Sequence, residues 1–250
     1  YFFAGINEQN SEYHLKKGET FKTPVLALTY STQGLSGASR NFHKWGRKYI
    51  LAHGDKERDI LLNSWEGVYF DINQKGMDQM MADIHSMGGE LFVMDDGWFG
   101  TKYPRVTDNC ALGDWVVDTK KLPNGIEGLL NDARKNQVKF GIWIEPEMTN
   151  TTSMLYEKHP DWVIKAPKYP DIAYIKWDAN MPIMNHGSQY LSAAEQSHLY
   201  IAYHQGFAKV IDRIRAKYKD VVIQCCASGG GRANWGMLRG FDEFWVSDNT

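Results

Sequence analysis

Six short apolar runs, each closing on polar or charged residues, constrain this chain more than any other feature. They are ILLNSWEGVYF (60–70), ELFVMDDGW (90–98), VKFGIWIEPEM (138–148), IAYIKWDAN (172–180), VVIQCCASGG (221–230) and DEFWVSD (242–248). Stretches with helical spacing separate them. Met77, Met80, Met81, Ile84 and Met87 recur on one helix face, as do Leu199, Tyr203, Val210, Ile211, Ile214 and Tyr218. Such stripes are core. Strands alternating with helices are the pattern of parallel βαβ units. The polar closures all fall at the C-terminal side of their runs: Trp65 and Glu66, Asp95 and Asp96, Trp143 and Glu145, Lys176 and Asp178, Cys226 and Ser228, Ser247 and Asp248. A doubly wound sheet gathers ligands only near a switch point, whereas a barrel draws its site from the C-terminal ends of many strands. Six strands contributing in turn favour an α/β chain of the (β/α)8 TIM type over residues 60–250. Ahead of it, SEYHL and TFKTPVLALTYS read as two strands around a KKGE turn within 11–32, and 39–53 as a helix.

Composition narrows the partners. A net charge of −2 over 250 residues gives no electrostatic case for nucleic acid or an anionic membrane. No apolar run approaches the ~20 residues of a membrane span. The three cysteines, 110, 225 and 226, make an odd set with two adjacent. That is a poor disulfide framework, and it leans toward reduced thiols and a cytoplasmic enzyme. Nine Trp suit flat, partly apolar ligands such as sugar rings as well as a core.

Asp95, Asp96, Asp178 and Asp248 all fall on the expected site face, and isolated carboxylates are expensive to bury. Two chemistries use such a set: a hard-cation site for Mg or Mn, and glycoside hydrolysis by a carboxylate pair. None of the eight His falls at an expected strand end, which removes a zinc site but not an all-carboxylate one. The site-face Trp and an inward Lys176 favour a sugar. In YIKWDANM (174–181), Lys176 and Asp178 are two apart and so share a strand face. Lys176 there favours an ionised Asp178 able to attack an anomeric carbon, and can also donate to a sugar hydroxyl. A structural Lys–Asp pair is the plainer reading. Gly229–Gly231 lacks the spacing of a phosphate loop.

NSWEGVYFD, LFVMDDGWFG, LGDW with KLPNGIEGL, FGIWIEPEM, LYEKHPDW, YIKWDAN, CASGGGR and WVSDNT, in this order, resemble the α-galactosidases of glycoside hydrolase family 36 over almost the whole chain. The resemblance implies retaining hydrolysis of terminal α-galactosyl groups in raffinose-type oligosaccharides or galactomannan side chains. It makes Asp178 the nucleophile and Asp248 the acid/base. It implies substrate binding by Trp65, Asp95, Asp96, Trp143, Lys176, Cys226 and Gly229, with no metal or other cofactor and with homo-oligomeric parents. Residues 1–33 then look like the last strands of a β-sandwich domain, 34–59 a linker with a helix, and 60–250 a catalytic barrel incomplete at its C-terminal end. An N-acetylgalactosaminidase or a raffinose-synthase-like transferase uses the same fold, and a non-catalytic, weakly sugar-binding remnant is a further reading. Between HPDW (159–162) and IKWD the family carries a few dozen more residues, including a sugar-contacting Arg without a counterpart here. The chain taken alone is therefore expected to have little or no activity.

Overall fold

The computed structural model describes Gly5 and residues 12–160, 172–180 and 191–248. The elements are α1 (Gly34–Tyr49), β1 (Leu61–Asn63), α2 (Trp65–Val68), α3 (Gln74–Ser86), β2 (Leu91–Met94), α4 (Gly125–Lys135) and β3 (Lys139–Ile144), then α5 (Met154–Lys158), β4 (Tyr174–Trp177), a 3-10 turn (Ala193–His198), α6 (Leu199–Lys217), β5 (Val222–Cys225), α7 (Trp235–Leu238) and β6 (Glu243–Phe244). Each apolar run contains a strand shorter than itself, because its polar tail leaves the ladder to build a loop. The first run breaks most sharply: β1 stops at Asn63 and Trp65 already begins α2.

The chain clusters into two compact units, residues 1–50 with 182–219 and residues 51–181 with 220–250. In the first unit, 12–32 runs without regular secondary structure. The two strands expected there do not form, and Val25, Leu28 and Tyr30 stand exposed. A strand needs a ladder partner, and among the described residues of this unit there is none. The helix expected over 39–53 is α1, which starts earlier, at Gly34, and stops at Tyr49. Nearby, the His14 backbone N–H donates to His198 Nε2 at 2.6 Å and Tyr13 stacks on the same ring.

The second unit holds a six-stranded, all-parallel sheet in the order β1-β2-β3-β4-β5-β6. Every strand pairs with its sequence neighbours. A doubly wound sheet would reverse its order midway; this one never does, and it forms a curled half-barrel. α3 and α4 pack against β2 and β3. Asn73 caps α3 by accepting from the Gly76 N–H at 2.8 Å. Met77, Met81 and Ile84 are buried, while Met87 lies past the helix end and is 72% exposed. Strand parity sorts the sheet into two faces. Phe92, Met94, Phe140, Ile142, Ile144, Trp177 and Ile223 are buried on one. The other carries Leu61, Leu91, Val93, Tyr174 and Val222 as an apolar cluster. Gly141 sits within that cluster. A Cβ there would come 2.9 Å from Val93 Cγ2 and 3.0 Å from Tyr174 Cβ, so the curl of the sheet leaves room for no side chain.

Candidate active site

The polar end of the inner face lines a cavity of about 1210 Å³. Trp65, Asp95, Asp96, Trp143, Lys176, Asp178 and Asp248 all line it, so residues from five strand ends converge on one space. Cys226 and Gly229 do not line it. Cys226 is buried beside Asp178, and Gly229 lies against Ser247.

Lys176 meets a different direct partner from the one its spacing suggested. Its Nζ donates to Asp95 Oδ2 at 3.0 Å and lies 4.6 Å from the centre of the Trp245 ring. Asn63 Nδ2 donates to the same oxygen at 2.6 Å, and the Asp96 N–H takes Oδ1. Burial works against the Lys176 charge, but the Asp95 carboxylate, with Cys226 and Asp178 beside it, outweighs burial and raises the Lys176 pKa. Asp178, 5% exposed, accepts from Trp143 Nε1 at 3.2 Å through Oδ2 and from the Ala179 N–H at 2.8 Å through Oδ1. These two donors fix its plane. Asp248 is exposed at the rim. One candidate carboxylate is thus dry and held, the other wet.

Asp96 is gripped by a residue that sequence reasoning missed. Arg105 is 3% exposed and donates to both Asp96 oxygens, with contacts of 2.7, 2.9 and 3.2 Å. Its Nη1 donates to the Asp108 and Cys110 carbonyls and to Asn150 Oδ1, and its guanidinium lies near the Phe70 and Phe99 rings. Burial, joined by the neighbouring Asp95 carboxylate, raises the Asp96 pKa against the pull of Arg105 and of the Gly97 N–H. Lys121 Nζ staples the same loop by donating to the Phe70, Gly97 and Arg105 carbonyls. No period in the sequence marks Arg105, because it sits in a loop. Asn63 was legible by parity, two residues along β1 from Leu61.

Glu145, 4% exposed, is the most perturbed carboxyl of the cavity. Burial, then Asp178 and Asp96, raise its pKa to about 7 against the pull of a hydrogen bond from the Asn180 N–H. Burial and the Asp178 carboxylate also push the Cys226 thiol far above its ordinary range. A resting thiol of that kind is no nucleophile. Asp95 and Asp96 are engaged by Lys176 and Arg105, and among the described residues no three His, Cys, Asp or Glu are grouped to hold a metal ion.

The Melibiase family profile matches this chain over residues 20–172 and again over 168–250. The chain belongs to the Melibiase family. Its likeness to the α-galactosidases of glycoside hydrolase family 36 runs through sequence and structure. It is 38% identical to alpha-galactosidase C of Emericella nidulans over 288 aligned residues, covering 98% of this chain and 37% of the relative. The structure of a variant of AgaA from Geobacillus stearothermophilus in complex with stachyose superposes with a TM-score of 0.90 at 35% identity, covering 98% of this chain and 39% of that one. The α-galactosidase of Lactobacillus brevis gives the same TM-score at 33% identity, with 98% and 37% covered. The chain therefore spans about two fifths of the length of the Melibiase relatives it matches. The two profile matches overlap at residues 168–172, between β3 and β4, and the 288-residue alignment exceeds the 250 residues present. The shortening expected between HPDW (159–162) and IKWD falls mainly on residues 161–171, outside the described residues.

Proposed function

We propose that this chain carries catalytic machinery of a retaining α-galactosidase acting on terminal α-D-galactosyl groups of raffinose-type oligosaccharides and galactomannan side chains. The observation that carries the reading is the pairing, at one cavity, of a buried, doubly hydrogen-bonded Asp178 with an exposed Asp248. Two hydrogen-bond donors hold the Asp178 carboxylate in place to attack, and Asp248 at the open rim can exchange its proton with water between steps. Asp178 attacks C1 of the sugar as the C1–O bond breaks, and the electron pair leaves on the glycosidic oxygen, which takes a proton from Asp248. Water then attacks C1, gives its proton to Asp248, and the bond to Asp178 breaks. Lys176, Asp95, Asp96 and Trp143 hold the sugar, Trp143 and Trp65 as apolar walls. The relatives support the substrate class: AgaA variants were crystallised with stachyose and with raffinose. In this reading the parent closes a full (β/α)8 barrel, 1–33 belongs to a β-sandwich domain, and 34–59 links the two.

The test is Asp178→Ala with azide in the full-length parent. Turnover of nitrophenyl α-galactoside should vanish in the variant and return as β-galactosyl azide. Release of the α-azide would exchange the two roles. Sugar binding without turnover is the second reading, favoured by the residues missing between β3 and β4. Galactose that raises the melting temperature of a chain with no turnover would select it.

A further inference from the structure

Asp178 follows β4 and Asp248 follows β6, so β5 and the turn after it lie between the two. That turn touches both segments. On one side Ser228 donates twice to Asn180 Oδ1, from its N–H at 2.9 Å and its hydroxyl at 3.1 Å. Asn180 stands two residues past Asp178, and its own N–H donates to Glu145 Oε1 at 2.5 Å. On the other side Gly229 is pressed against the acid/base segment. A Cβ on it would lie 2.9 Å from Ser247 Cα and 3.1 Å from the Asp248 nitrogen. Both turn residues have left-handed backbones, Ser228 at φ 47° and Gly229 at φ 79°. Glycine adopts this freely, whereas a serine is strained by on the order of 1 kcal/mol or more. What serine adds over glycine at 228 is a hydroxyl, and that hydroxyl is bonded to Asn180.

We propose that Ser228 is a positioning residue that sets the spacing of Asp178 and Asp248: it pins the turn to the Asp178 segment so that Gly229 buttresses Ser247 and Asp248. The inference rests on the reading of these aspartates as nucleophile and acid/base. Asp178 has its own anchors in Trp143 and the Ala179 N–H, so loosening the pin displaces chiefly Asp248. Proton delivery by Asp248 matters in proportion to the basicity of the leaving oxygen. A misplaced acid is therefore felt with an alcohol or sugar leaving group and hardly with an acidic phenol.

The test measures kcat/KM, which reports cleavage of the glycosidic bond and not the later attack of water, for Ser228→Ala, Ser228→Gly and the unaltered protein, each in the full-length parent, on raffinose and on dinitrophenyl α-galactoside, alongside crystal structures of each. On raffinose both variants should lose about tenfold or more, and on the dinitrophenyl substrate less than about threefold. The crystals should show Ser247 and Asp248 shifted relative to Asp178. Equal losses on both substrates would reduce Ser228 to a structural residue and overturn the proposal. So would Ser228→Gly at full activity, or superposable 247–248 segments. If the unaltered full-length parent turns over neither substrate, the hydrolase reading fails by itself, and the crystal comparison still decides whether Ser228 sets the spacing.

Discussion

Replacing Glu145 with Gln should stabilise the protein at alkaline pH and leave it unchanged at acid pH. The Glu145 carboxyl is raised from its ordinary 4.5 to about 7, first by burial and then by Asp178 and Asp96. In the native state it holds its proton over a range where the unfolded chain has lost it. The native state therefore binds more protons between pH 4.5 and 7, and stability falls as pH rises through that window. At about 1.4 kcal/mol per pKa unit, full ionisation costs about 3 kcal/mol. Gln removes the charge and keeps an oxygen for the Asn180 N–H, which Glu145 now accepts at 2.5 Å. Urea unfolding of both proteins at pH 4, 5.5, 7 and 8.5 measures the difference directly. The curves should coincide at pH 4 and separate to about 1–3 kcal/mol in favour of Gln at pH 8.5. A difference independent of pH, or a variant less stable at pH 8.5, would refute the reasoning, because Glu145 would then be ionised in the fold at little cost.

Arg105→Ala should destabilise the fold by about 3–5 kcal/mol, since Asp96 would be left buried without its cation; denaturant unfolding measures it, with Arg105→Lys recovering only part because one ammonium cannot reach Asp96 and the Asp108 and Cys110 carbonyls together. Lys176→Met should cost a comparable amount through Asp95 and, on the proposed function, should also weaken galactose binding in the full-length parent, read by calorimetry. At pH 8, maleimide should label Cys110 first and leave Cys225 and Cys226 unmodified in the native protein, because burial pushes the Cys225 thiol up to about 11 and Cys226 higher still; mass spectrometry of peptides resolves the three. On the proposed function, EDTA should leave the activity of the full-length parent intact, as Asp95 and Asp96 are already engaged by Lys176 and Arg105, and a loss restored by Mg or Mn would refute this.

The sequence by itself determined what is periodic. Alternation along six runs placed the strands and told which residues share a face, and the polar closures foretold that Asp95, Asp96, Lys176 and Asp178 would meet. Motifs in series told the family. The segment 12–32 was misread, because β-forming residues describe a fit to a neighbouring strand and no such neighbour is described in that unit. Partner choice belonged to the tertiary structure alone. Lys176 and Asp178 share a face, yet the register that sets Lys176 level with Trp143 carries its ammonium to Asp95 just past the end of β2, while Asp178, one step higher, receives the Trp143 indole N–H. Arg105 had no signal in one dimension, since loop residues follow no period, and although Ser228 closed the fifth run and Asn180 ended the fourth, nothing in the sequence showed that they bond each other. Their roles exist only because parallel register brings the ends of β2, β3, β4 and β5 to one level, where a side chain on one loop reaches a carbonyl, an amide or a carboxylate on the next.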